Sequence, residues 1–398
     1  MDPLNNPLPA LEHLYVHWPF CKNKCHYCDF VAFEKHEGFE PSYHQAMLAE
    51  IKSYAATLDP LSLPKISTIF LGGGTPSLYP LPLLEELFTT LRSSFDLSSL
   101  QESVLEVNPG GLTKKHMEVW KSVGINRLSV GVQVLDDKVL YNLNRRQRNT
   151  DVFELMELAP QYFSNISADL ILGLPGVTQE IWNRTLETVV RWPITHISVY
   201  FLTIHEQTPL YFRVKRKELT IAEDDALVAE YEKTIAFLAL HGFEQYEISN
   251  FAKKGFESKH NQAYWNRKPY KGFGIGAASF DGQFRTVNEK KLASYIDRHL
   301  HNTIDLHQGA RAAPFLEKLE GSQVFLEELM LGLRQKKGIA IEKLFGAILP
   351  IHKEDLVKKI AWLEQERLAL LHEGQLMLTV RGMALENEIV THLSKNIE

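Results

Sequence analysis

Between residues 43 and 201, short apolar runs alternate with longer stretches whose apolar positions recur every third or fourth residue. The spacing predicts helices at Tyr43–Leu58, Leu83–Leu91, Lys114–Val123, Val152–Leu158 and Glu180–Val190. It predicts strands between them at Ser67–Leu71, Ser103–Val107, Arg127–Val132, Ile166–Leu172 and His196–Phe201. Strands alternating with helices at this pitch are βα units around a parallel sheet, an α/β fold. A run of such units predicts a partial or complete barrel, with function at the C-terminal ends of its strands. That rule would gather Gly72-Gly73-Gly74-Thr75-Pro76, Glu106-Val-Asn108-Pro109, Gly131-Val-Gln133 and Asp169 on one rim.

Beyond Leu219 the pattern changes. A long helix, Ala222–Leu240, precedes Glu244–Ser249 and a glycine-rich stretch, Tyr270–Gly282. From about Ala312 a third pattern sets in, with helices Ser322–Leu333, Ile339–Phe345 and Lys353–Glu366, short strands Ala369–His372 and Leu376–Thr379 around Glu373-Gly374, and a last helix to the terminus. Helices followed by a hairpin resemble a winged-helix module, and the mixed charge of this one reads as structural or interaction surface rather than a DNA-binding face. The expected division is therefore 1–220, a core barrel carrying the cysteine loop; 221–311, an extension over the barrel; and 312–398, the helical and hairpin module.

Composition narrows the classes. A chain of 398 residues, 44% hydrophobic, can bury a large core. Lys and Arg number 43 against 49 Asp and Glu, a formal charge of -6 with no long basic stripe, which gives nucleic-acid binding little support. Met1–Leu11 has neither a basic region nor an apolar core, so no secretory signal is expected. No apolar run approaches the ~20 residues of a membrane span. Three clustered cysteines make a disulfide framework improbable and fit a reducing cytoplasm.

Those cysteines all lie in Tyr15–Phe30, at Cys21, Cys25 and Cys28. The C-x3-C-x2-C spacing lets one loop turn three soft thiolates toward a common centre, which suits iron–sulfur or zinc. A structural zinc would need a fourth ligand, and His17 or His26 could supply it. A cluster on three thiolates would instead leave one iron open to a small molecule. Three unliganded thiols are the bland alternative. Elsewhere, Gly73, Gly74 and Thr75 can present bare backbone groups to a ligand. Glu106, Gln133 and Asp169 can hydrogen-bond polar ligand groups, and Arg145 can pair with a carboxylate. Each has an ordinary strand-end or solvated reading beside the functional one. His260-Asn261-Gln262-Ala263-Tyr264-Trp265 offers an imidazole beside aromatic walls, as haem requires, or a capping histidine beside core aromatics.

Tyr15-x-His17-x-Pro19-Phe20-Cys21, the cysteine spacing, the aromatic Tyr27 before Cys28, and Cys28-Asp-Phe30 resemble the radical S-adenosylmethionine (SAM) enzymes. They point to the branch holding oxygen-independent coproporphyrinogen III dehydrogenase and the HemW-type haem chaperones. The resemblance implies a partial (β/α)6 barrel with a C-terminal helical, winged-helix-like module, and a [4Fe-4S] cluster on Cys21, Cys25 and Cys28. It further implies SAM chelated to the fourth iron and contacted by Tyr15, Tyr27, Gly73, Gly74, Thr75, Glu106, Gln133, Arg145 and Asp169, the last within Asp-Leu-Ile-x-Gly-Leu-Pro-Gly. Gln147 stands where the pattern usually has His. The dehydrogenase branch carries a further cysteine two residues after the third, and this chain has Phe30 there, which resembles the chaperones. In that branch His260, Asn261, Tyr264 and Trp265 are haem-site candidates, with His260 as the expected axial donor.

The expected function is a cytoplasmic haem chaperone binding cluster, SAM and haem and handing haem to an acceptor protein, as monomer or homodimer. Contact with a membrane-bound acceptor is compatible with this. The rivals are a radical SAM oxidoreductase that oxidatively decarboxylates coproporphyrinogen III, and a zinc-stabilised interaction protein.

Overall fold

The computed structural model describes residues 10–301 and 315–397. Met1–Pro9 and the boundary expected at 311/312 lie outside them. Contacts divide the chain into two compact units that interleave along the sequence. The first takes in the described residues of Met1–Thr195, Tyr200–Ile221 and Pro269–Glu317; the second takes in His196–Val199, Ala222–Lys268 and those of Lys318–Glu398.

In the first unit five parallel strands lie side by side in sequence order: β1 (His13–Trp18), β2 (Thr68–Gly73), β3 (Glu102–Val107), β4 (Arg127–Gln133) and β5 (Ile166–Leu172). Between them run α1 (Glu40–Ala55), α2 (Leu81–Ser94), α3 (Lys114–Val123), α4 (Asp137–Asn142), α5 (Asn149–Leu158), and after β5 α6 (Gln179–Val189) and α7 (Pro209–Lys215). This is the partial barrel that the alternation predicted.

The helices form for readable reasons. In α6 the Thr178 side chain accepts from the Ile181 N–H, and Trp182, Thr185, Leu186 and Val189 form one buried stripe. In α3 Met117, Trp120 and Val123 are buried and Gly124, at φ 102°, ends the helix in the left-handed region.

The first strand is the element the pattern concealed. His13-Leu-Tyr-Val-His-Trp18 carries polar residues inside a strand buried between two neighbours. Its histidines are satisfied laterally: His13 Nδ1 meets Thr68 Oγ1 at 2.9 Å. The glycine-rich stretch also becomes sheet. Strand Tyr270–Phe273 pairs parallel with β1, and Ala278–Phe280 and Phe284–Val287 follow antiparallel. A Cβ on Gly272 would lie 2.2 Å from the Ala278 carbonyl oxygen, so only glycine admits that approach. These strands belong to the first unit because they extend its sheet from β1, which is why the contacts do not follow three consecutive segments.

The second unit contains α8 (Asp224–Leu240), α9 (Lys259–Trp265) and the antiparallel ladder of Asn250–Ala252 with Ser198, Ile197 and His196 on one side and Glu244–Gln245 on the other. Its C-terminal part packs helices Ser322–Leu333, Pro350–Gln365 and Glu386–Ser394 with a three-stranded antiparallel sheet around Phe325, Leu329, Leu333, Leu356, Leu363 and Leu393. Helices with a β-hairpin are the expected module. The helix expected at Lys353 starts at Pro350, because proline suits a first helical turn.

Candidate functional site

The cysteine loop leaves the end of β1 and is pinned by its backbone. Phe20–Cys21 pairs parallel with Phe33–Glu34, and the Phe33 N–H donates to the Pro19 carbonyl at 2.8 Å. Between these arms the Lys24 N–H donates to Glu34, the His26 N–H to the Leu143 carbonyl, and the Leu210 N–H to the His26 carbonyl. Asn144 Nδ2 donates to the Lys24 carbonyl at 2.9 Å. The backbone is thus satisfied while the thiols are left out of disulfides and half-buried. Burial pushes the Cys21 thiol up, and the Cys28 thiol up to about 11. Both are neutral at pH 7, so a metal would have to displace their protons.

Neither histidine proposed as a fourth ligand is offered to the sulfurs. His17 Nε2 donates to the Val31 carbonyl at 2.8 Å and its Nδ1 faces the Tyr15 hydroxyl at 2.9 Å, so both nitrogens are engaged. Burial brings its pKa down to about 4, and the ring is neutral. The His26 ring meets Arg213 at 3.2 Å. Among the described residues no three His, Cys, Asp or Glu side chains gather around one ion position. A cluster distributes its cysteines over separate irons, so its ligands need no single meeting point.

The triglycine segment after β2 lies against the loop. The Gly74 N–H donates to the Trp18 carbonyl at 2.7 Å, and Thr75 Oγ1 donates to Cys21 Sγ at 3.2 Å. A Cβ on Gly74 would lie 2.7 Å from Pro19 and 3.0 Å from Cys21 Sγ. Gly73, at φ 119°, turns its N–H onto Glu106 Oε2 at 3.1 Å. Burial and the neighbouring Asp169 push the Glu106 carboxyl up to about 8, against the opposing pull of that N–H. Tyr15 stacks on Phe70 and feels the same carboxylate.

Asp169, opposite Gly131 in the sheet, accepts from Ser129 Oγ at 2.6 Å and Ser167 Oγ at 3.1 Å. Gln133 sits at a register shift with φ 67°, a left-handed backbone that turns the strand end outward. Arg145 is buried, unlike exposed Arg146 and Arg148, and its Nη1 faces Cys25 Sγ at 3.7 Å and Tyr27 Oη at 3.5 Å. Its other donors reach Asn108, Gly131 and Gln147 rather than a carboxylate. A cavity of about 190 Å³ opens here, with Cys25, Thr75, Asn108 and Arg145 among its walls.

In the second unit, the Ser258 side chain caps α9 by accepting from the Asn261 N–H at 3.2 Å. His260 has 0% exposure, and its Nε2 meets the Tyr264 hydroxyl at 2.8 Å with the rings edge to face. The Arg334 guanidinium lies over the Trp265 ring at 4.6 Å, and the buried Trp265 Nε1 has no acceptor among the described residues.

Comparison with known proteins agrees with this geometry. A model of the radical SAM superfamily matches residues 15–189. The heme chaperone HemW of Bacillus subtilis is 33% identical over 95% of this chain and 98% of its own. HemW of Mycobacterium tuberculosis is 31% identical over 97% and 96%. The chain belongs to the HemW family of radical SAM proteins. The mitochondrial radical S-adenosyl methionine domain-containing protein 1 of Bos taurus is 30% identical over 99% of this chain and 90% of its own. In fold the chain is similar to the Escherichia coli coproporphyrinogen III oxidase HemN, with TM-score 0.81 and 23% identity over 98% of this chain and 92% of that one.

Seen as a HemW-family chain, the first unit joins its expected residues in two contact sets. Tyr15, Gly72, Gly73 and Glu106 form one; Cys25, Tyr27 and Arg145 form the other, and Thr75 with Asn108 at 3.4 Å links them. Reading the sequence overlooked Asn108, Ser129 and Gln147 as working members. The signal for Asn108 was its place directly after a β3 carboxylate; for Ser129, the alternation on β4 that sets it beside Asp169. Gln147, noted only as a departure, bridges Arg145 Nε and the Val132 carbonyl. Phe30, where the HemN branch has cysteine, is 59% exposed.

Proposed function

We propose that the chain is a haem chaperone: it holds a [4Fe-4S] cluster on Cys21, Cys25 and Cys28, binds SAM beside it, and delivers haem to an acceptor protein. The observation that carries this reading is the identity to HemW proteins sustained over almost the whole chain, Phe30 included. The donor set fits the cluster, being three thiols without disulfides in a pinned loop, and the glycine cradle fits a ligand laid against it. When bound, the cluster supplies one electron and an open iron for SAM.

Around it the chain's own residues divide the work. Gly73, Gly74 and Thr75 offer backbone to the amino-acid end of SAM. Glu106 and Tyr15 face its ribose, and Asp169, Gln133, Tyr27 and Arg145 close the remaining sides. Haem falls to His260, Asn261, Tyr264 and Trp265. The Trp265 N–H is left with a hydrogen bond to give, while His260 reaches iron only by exchanging Tyr264 for the metal. No described helix is long and apolar enough to cross a membrane, and free thiols suit a cytoplasmic site of action.

The test is the visible spectrum of the anaerobically reconstituted protein before and after haem addition, followed by transfer to an apo-haemoprotein. Cluster absorption, a Soret band, and loss of that band to the acceptor are expected. A second reading follows the likeness to HemN, which is one of fold. Protoporphyrinogen formed from coproporphyrinogen and SAM by the reduced protein would replace the chaperone with an oxidoreductase.

A further inference from the structure

A guanidinium has five N–H donors, and every donor atom of Arg145 faces protein. Nε donates to Gln147 Oε1 at 2.8 Å, and Nη2 to Asn108 Oδ1 and the Gly131 carbonyl, each at 2.8 Å. Nη1 faces Cys25 Sγ at 3.7 Å and Tyr27 Oη at 3.5 Å. In this arrangement no donor is left over for a ligand carboxylate. The position is built for the residue: a Cβ on Gly131 would lie 2.7 Å from Nη2, so the strand yields its side chain to admit the guanidinium. Arg145 is 8% exposed, which weakens solvent screening of its charge.

We propose that Arg145 sets the reduction potential of the cluster through Cys25, as a positioning and electrostatic residue rather than the SAM-carboxylate contact expected from the sequence. The inference rests on the cluster reading above. Reduction adds negative charge to the cluster. A fixed, buried cation beside a ligand sulfur favours that charge, and an N–H aimed at sulfur withdraws electron density from it. Both raise the potential. Gln147, Asn108 and Gly131 hold the guanidinium there from β3, β4 and the segment after α4.

The test compares full-length wild type, R145Q and R145K after anaerobic reconstitution, by iron and sulfide content, by midpoint potential in the absence of SAM, and by SAM affinity of the oxidised protein. In R145Q the reduction equilibrium is expected to move at least about tenfold toward the oxidised form, about 59 mV for one electron. R145K keeps the charge and should stay within about threefold of wild type. SAM affinity should change less than the reduction equilibrium does in R145Q. An unchanged potential in R145Q, with SAM affinity the quantity that falls, would return Arg145 to the carboxylate role and overturn the proposal. If R145Q holds no cluster, R145K decides: a potential within threefold of wild type supports the assignment, and a shift beyond tenfold overturns it. Loss of the cluster from both variants would make Arg145 a structural strut and also overturn it. Wild type without iron and sulfide would be a different result, removing the cluster reading itself and this inference with it.

Discussion

Two histidine-bearing stretches, one in each unit, treat their polar groups in opposite ways. Around Cys21, Cys25 and Cys28 the backbone is hydrogen-bonded to flanking elements, and His17 is fixed between Tyr15 and Val31, so the thiols stand apart from the internal bonding. Around His260 the side chains satisfy one another: imidazole with tyrosine, serine with the helix N-terminus, and only the Trp265 N–H lacks an acceptor. Chemistry-bearing residues become a site when their surroundings leave ligating atoms unused. The same residues become core when their atoms are paired.

The sharpest way to break the comparison is Cys25→Ala. Iron and sulfide after reconstitution should fall to background and SAM binding should weaken with them. A C25A protein with wild-type SAM affinity would show that SAM does not anchor on metal.

Gly74→Ala tests whether the close approach of the glycines is needed. With its Cβ against Pro19 and Cys21 the loop must shift, and overpacking of about 1–3 kcal/mol should speed iron loss to a chelator about tenfold or more. An unchanged rate would make the triglycine an ordinary turn.

His260→Ala addresses the other stretch. Removing a fully buried, hydrogen-bonded ring should cost about 2–3 kcal/mol in urea unfolding, while the Soret band of haem-loaded protein keeps its position if the ring is core. A displaced Soret band would put the imidazole on the iron.

The smallest effects are in pH dependence of the ligand-free protein. Glu106, near 8 when folded against a usual 4.5, holds a proton that the unfolded chain has lost, so stability should fall as pH rises between those values. Glu106→Gln should flatten that decline. His17, near 4 against a usual 6.5, is neutral when folded and charged when unfolded, so stability should fall as pH drops through that window. Urea midpoints measured from pH 4 to 9 report both slopes, and equal slopes in wild type and E106Q above pH 5 would contradict the buried-carboxyl account.

What could be read along the chain was whatever depends on neighbours in sequence. The alternation of strand and helix gave β2 to β5 and most helices within a few residues, because each element's buried face repeats with its own period. The cysteine spacing and the glycine run were legible because ligation and close approach restrict residue type locally. The first strand was not: buried His13 and His17 look polar in sequence, and only Thr68, Tyr15 and Val31, brought in from elsewhere, satisfy them.

By itself, then, the sequence determined a radical SAM chain of the HemW branch and the order of its parts, since motif and periodicity are properties of the chain. The tertiary structure decided which donors remain free. It enclosed His260, engaged both nitrogens of His17 and turned Arg145 onto Cys25. The physical reason is that a side chain's availability depends on every partner within hydrogen-bond reach, and those partners come from positions far apart in sequence that only folding brings together.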